Sequence, residues 1–222
     1  MSSQLEKLNE QIISCRKCAR LVEWREEVAR VKRKAYKDHE YWGKPVPGFG
    51  DPKARVFVVG LAPGAHGSNR TGRQFTGDAS GGFLFPALHR AGFANQAEAE
   101  SRSDGLTLKD MYITASGRCA PPDNKPTPEE LHNCQPYLER ELEIINPKVI
   151  VCLGRIAFKR VLRIHSLRSS AYKFAHGASF QLPNGVWVLC SYHPSQQNTL
   201  TGKLTLKMFD DIWRKAKELL KA

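Results

Sequence analysis

A chain of 222 residues has room for one α/β domain with a full core and little room for two. Its 41% hydrophobic and 25% charged content is ordinary for a globular protein, and no apolar run approaches the roughly 18 residues of a membrane-spanning helix. Lys and Arg number 34 against 22 Asp and Glu, and the resulting net charge of +12 points to a polyanionic partner such as nucleic acid. The opening MSSQLEKLNEQIISC lacks a basic start followed by an apolar stretch, so a secretory signal is not expected and the cytoplasm is.

In chain order, Leu5, Leu8, Ile12 and Ile13 recur at helical spacing. After a Cys-containing break so do Leu21, Val22, Val28 and Val31, giving a helical region over 4–37. This region is also the most basic: nine Lys and Arg face three Glu between Arg16 and Lys37. Residues 44–52, rich in Pro and Gly, read as an ordered loop without regular structure. Four short apolar, β-branched runs follow, at 55–61, 110–114, 148–153 and 186–190, as in strands buried on both faces. Helical segments are expected at 81–91, 127–145, 154–164 and 203–220. Strands alternating with helices predict a three-layer α/β/α fold around a four-stranded parallel sheet, one domain over 1–222. Ligands in such sheets sit beyond the carboxyl ends of the strands, so the residues just after Leu61, Thr114, Leu153 and Cys190 are the ones to watch.

Six cysteines in a cytoplasmic chain argue for metal ligands over a disulfide framework. Cys15-Arg16-Lys17-Cys18 is a tight knuckle, and Cys119 and Cys134 supply two more thiols, with fourteen residues between them. Thr127 and Pro128 open the helix that carries Cys134. Four thiols suit either zinc or an iron–sulfur centre. Cys152 and Cys190, inside strands, read as small buried hydrophobes.

After the first strand the chain reads GLAPGAHGSNRTGRQFTGD over 60–78; after the last it reads SYHPSQQN over 191–198. The first is neither a Walker loop nor a dinucleotide fingerprint. Together G-L-A-P-G and H-P-S resemble the two signature motifs of the uracil-DNA glycosylase superfamily. The four cysteines are similar to those of its iron–sulfur branches, and the first motif most resembles the fifth, or B-type, family. The resemblance spans Cys15 to beyond Asn198 and implies a [4Fe-4S] cluster on Cys15, Cys18, Cys119 and Cys134.

The implied activity is monofunctional excision of uracil from double- or single-stranded DNA by base flipping and hydrolysis of the N-glycosidic bond. His193 is the expected donor to the departing base and Phe75 the aromatic that stacks on it, with Gly60, Leu61 and Ala62 lining the pocket. Relatives carry an Asp or Glu at positions matching Ala62 or Leu61; this sequence does not. Asp78 is the nearest carboxylate, either activating water or capping the following helix. Uracil-strict relatives also have an Asn after the second strand, where this chain has Thr114-Ala115-Ser116-Gly117, so hypoxanthine and xanthine are expected substrates as well. Asn124 either supplies an amide from the Cys119–Cys134 loop or is a turn residue.

Arg70, Arg73, Lys203 and Lys207 are candidate phosphate contacts, and Leu200 is a candidate wedge for the gap left by a flipped base. Neither signature loop places a Lys to attack the sugar, so no strand nicking is expected. A monomer is expected, with any repair or replication partner unspecified. The competing readings are a non-catalytic iron–sulfur module that binds nucleic acid in a replication or repair complex, and a small-molecule enzyme that holds phosphates in the glycine loop.

Overall fold

The computed structural model describes residues 3–222. Two helices lead: α1 (Gln4–Ile13), opened by a Ser3–Glu6 capping box, and α2 (Ala19–Val31). The remaining elements are β1 (Phe49–Gly50), β2 (Val56–Gly60), α3 (Ser68–Thr71), α4 (Ala79–Arg90), β3 (Met111–Ala115), α5 (Pro128–Ile145), β4 (Val149–Leu153), α6 (Arg155–Ile164), β5 (Ser179–Gln181), β6 (Trp187–Ser191), α7 (Gln196–Leu200) and α8 (Leu206–Leu219). Thr127 caps α5 as its sequence suggests: its hydroxyl accepts from Glu130 N at 3.2 Å while Thr127 N donates to the Glu130 carboxylate at 2.7 Å.

Among the described residues the sheet runs β1-β3-β2-β4-β6-β5, with β3, β2, β4 and β6 mutually parallel. These are the four expected strands. The expectation of four in all is corrected to six, because β1 and β5 add short antiparallel edges. β1 falls inside 44–52, the segment expected to lack regular structure. Its two residues, like the three of β5, are too short to leave an alternation pattern. α7 was not foreseen, and the last helix starts at Leu206 instead of 203.

Alternate strand residues serve two cores. Val56, Val58, Ile113, Val151 and Leu189 face α4 and α8, meeting Leu84, Phe85, Phe209 and Trp213. Phe57, Val59, Ile150, Cys152, Val188 and Cys190 face α5 and α6, meeting Leu138, Phe158, Val161 and Leu162. Removing each large side chain from water contributes roughly 1.5–3 kcal/mol, which anchors both helical layers. Because β2 leads outward to β3 and the chain then returns to β4 on its other side, the connections diverge between β2 and β4. Such a reversal leaves a crevice at the carboxyl ends of the strands.

Candidate active site

The first strand-end loop and the HPS loop meet at that crevice. Gly60 ends β2 with the Phe75 ring lying on it: a Cβ at Gly60 would stand 2.7 Å from Phe75 Cζ, so a side chain there would displace the ring. Phe75 adopts the left-handed backbone at φ +54° and is 7% exposed. It is packed into the core margin, with its ring tilted 31° to His193 at a centroid distance of 5.8 Å. His193, half-buried just after β6, is stripped of water by its surroundings. This desolvation pushes its pKa down to about 4, so at neutral pH the ring is uncharged, with one N–H to donate. Asn198 Nδ2 donates to His193 O at 2.9 Å and holds the loop.

Of the two roles expected of Asp78, capping is observed. One carboxylate oxygen caps α4, accepting from Gly81 N at 3.0 Å. The other is turned into the glycine loop, where a Cβ on Gly67 would come within 2.0 Å of it and one on Gly64 within 3.1 Å. Burial raises the Asp78 pKa, against the pull of the Gly81 and Ser80 amides and the Arg70 charge. A carboxylate with a raised pKa and a free oxygen is suited to accept a proton. Leu61 and Ala62 continue from Gly60 in the same loop; Ser116 and Gly117 amides donate to Gly60 O at 2.9 Å and Leu61 O at 2.8 Å. The Ser116 hydroxyl is also spent on Gly60 O. Asn124 lies exposed at φ +56°, the conformation of a turn residue.

Two of the expected phosphate contacts are redirected inward. Arg73 is 7% exposed and its guanidinium is paired with Asp104 at 2.8 and 2.6 Å. Arg70, 8% exposed, donates to His66 O at 2.7 Å and Gly77 O at 2.8 Å. Both brace the first loop, leaving little surface for a phosphate. Lys203 is exposed with its ammonium 5.1 Å from the Tyr192 ring centre, and Lys207 is exposed beside Asp211. Leu200 is 80% exposed at the end of α7, an apolar side chain left in water.

The four expected ligand thiols, Cys15, Cys18, Cys119 and Cys134, line one cavity with Arg118, Asn133 and Tyr137. Among the described residues no three His, Cys, Asp or Glu side chains gather closely enough to hold a single metal ion. Donors reach the sulfurs: Arg25 Nη1 stands 3.0 Å from Cys119 Sγ, and Asn133 Nδ2 3.5 Å from Cys18 Sγ. Burial pushes the Cys119 thiol up to about 12, partly offset by Arg25. Arg25 and Arg118 are fully buried, and each leaves its Nε without a hydrogen-bond partner. Glu141 neutralises Arg118 at 2.6 Å, and Arg118 also donates to Thr114 Oγ1. Sequence reasoning missed Arg25, Arg118 and Glu141, since nothing local marks an arginine as buried.

Comparison with known proteins agrees with this layout. Residues 47–217 match the family described as the uracil DNA glycosylase superfamily. The type-5 uracil-DNA glycosylase of Thermus thermophilus is 54% identical, over 94% of each chain. That of Pyrobaculum aerophilum is 46% identical, over 92% of this chain and 88% of its own. The type-4 uracil-DNA glycosylase of Archaeoglobus fulgidus is 33% identical, over 86% of this chain and 81% of its own.

Proposed function

This chain belongs to the uracil DNA glycosylase superfamily, and from that premise we propose that it is a monofunctional glycosylase that excises uracil, and also hypoxanthine and xanthine, from DNA. The observation that carries the reading is the pairing of Phe75 with an uncharged His193 over the bare backbone of Gly60. A flipped base stacks on Phe75, and the His193 N–H meets the ring oxygen where negative charge develops as the glycosidic bond breaks. A neutral donor suits this role because it adds no charge to the ground state. Asp78, through the oxygen not used in capping, orients and deprotonates the attacking water. Leu200 fills the gap in the duplex, and Lys203 and Lys207 hold phosphates. Lacking a lysine at the sugar carbon, the enzyme leaves the strand intact.

The thiol cavity fits a [4Fe-4S] cluster on Cys15, Cys18, Cys119 and Cys134. A single zinc ion would draw its thiolates to about 3.8 Å of one another, given bonds of about 2.3 Å. Thiols spread around a shared cavity suit a wider group, and the buried Arg25 guanidinium beside Cys119 offsets its negative charge. When bound, the cluster ties the amino-terminal helices to the sheet.

The test is base release from uracil-containing oligonucleotides, read as alkali-labile sites. Wild type should leave abasic sites without nicks, and His193→Ala should lose about 10²–10³ in rate. Wild-type protein that leaves every uracil attached to its sugar ends the proposal.

A further inference from the structure

The redirection of Arg70 and Arg73 raises the question of which cations meet the nucleic acid near the first loop. Of the nine basic residues between Arg16 and Lys37, four are already matched. Arg16 pairs with Glu26, Arg20 with Glu130 at 2.7 Å, Arg30 with Glu27 at 2.7 Å, and buried Arg25 meets Cys119 and Glu26. The excess therefore surfaces in the next few residues. Arg33, Lys34 and Lys37 are exposed, and none of the three is in an ion pair among the described residues; Asp38 and Glu40 follow, also exposed.

The same segment is fastened to the active-site loop. The Tyr41 hydroxyl lies 3.0 Å from His66 Nδ1, and Arg70 Nη1 lies 3.1 Å from His39 Nδ1. The Arg70 guanidinium stacks 4.0 Å from the centre of the Tyr36 ring. Trp42 N and Gly43 N donate to Arg70 O and Asn69 O at 2.9 and 3.0 Å. His66 and Arg70 belong to the stretch that runs from Gly60 to Asp78, so these bonds fix the strap relative to the crevice. Burial, with the charges of Arg33 and Arg70, lowers the His66 pKa. Arg70, inside the motif, thus anchors a row of exposed cations outside it.

We propose that residues 33–37 form a phosphate-binding strap for DNA, with Arg33, Lys34 and Lys37 contacting the backbone beside the flipped nucleotide. The inference rests on the glycosylase reading, which supplies the DNA. It adds a second charged flank, opposite in sequence to Lys203 and Lys207, and contacts of this kind are independent of base sequence.

Two triple variants with equal net charge test it. One is Arg33→Ala/Lys34→Ala/Lys37→Ala. The other is Lys53→Ala/Lys109→Ala/Lys148→Ala, whose exposed lysines precede β2, β3 and β4 at the far end of the sheet. Affinity for a uracil-containing duplex is measured by anisotropy between 50 and 200 mM salt, after matched denaturation midpoints confirm folding. Each phosphate contact contributes about 0.9 to the slope of log affinity against log salt, so the strap variant should lose about 2–3 of that slope. The far-end variant should keep the wild-type slope. A strap variant with the wild-type slope, or two variants weakened alike, overturns the strap while wild-type base release stands. A wild type with no salt-dependent DNA affinity removes the glycosylase reading itself.

Discussion

The cavity ringed by Cys15, Cys18, Cys119 and Cys134 is walled by buried cations, whereas the crevice of Phe75 and His193 is lined by backbone, an aromatic ring and an uncharged imidazole. Both exclude water, and low dielectric magnifies whatever charge is placed in them. Around the thiols, Arg25 faces Cys119 while Arg118 is matched by the permanent charge of Glu141. Beside His193, the negative charge to be met is that of a departing base, which exists only while a bond is breaking, and a fixed cation would bind the resting anion of any passing ligand as readily. On the function proposed above, the contrast is that of a staple matched to its ground state and a catalyst held in reserve.

The comparison breaks most visibly at Glu141. Glu141→Ala would leave Arg118 charged and unmatched in the interior, a change that typically costs about 3–5 kcal/mol. Its denaturation midpoint should fall far below that of wild type; a midpoint within the range of surface substitutions would show that the cavity does not depend on its counter-charges. On the crevice side, Gly67→Ala should push the Asp78 carboxylate from its place, since the new Cβ would sit 2.0 Å from the oxygen. Misplacement of a reacting group by about 1 Å can cost 10²-fold, and the loss should appear in kcat with KM nearly unchanged. An Asp78→Asn enzyme equally fast as wild type would remove the carboxylate from the chemistry altogether.

The smallest effect sharpens the electrostatic side. His193 has a folded-state pKa of about 4 against an ordinary 6.5, so the unfolded chain binds its proton first. Its contribution to stability is therefore intact above pH 6.5 and is lost as pH falls towards 4. His193→Gln should flatten that part of the stability profile. The rate should not fall near pH 6.5 on account of this ring; its acid limb should follow Asp78, which burial shifts upward from the ordinary aspartate value. A limb that survives in Asp78→Asn would assign it to another group.

Much of this was legible in the residues, and what was not has a physical cause. Val56–Gly60 and Val149–Leu153 announced themselves because a strand buried on both faces must be apolar at every position. Thr127 and Glu130 announced a helix start because capping is a local bond. The two motifs located the crevice, and the spacing of Gly60, Phe75 and His193 was consistent with one pocket. Arg70 and Arg73 misled because a basic residue in a polar loop looks solvent-facing, and only tertiary packing brings Asp104, Gly77 O and His39 to them. Arg118 and Glu141 stand 23 positions apart, beyond any periodicity. β1 and β5 exist because a neighbouring strand offers free backbone, a property of the partner and not of their own few residues.

The amino-terminal helices find their partners far along the chain. α1 rests on α5, Arg20 reaches across 110 positions to Glu130, and Arg25 across 94 to Cys119. During synthesis these partners are not available until residues 119–145 have been made, although α2 already meets α3 nearer in the chain. Leu8 and Ile12, buried on α1, are left without α5 until it has been made. The order in which the segments are made is therefore not the order in which α1 is locked in place.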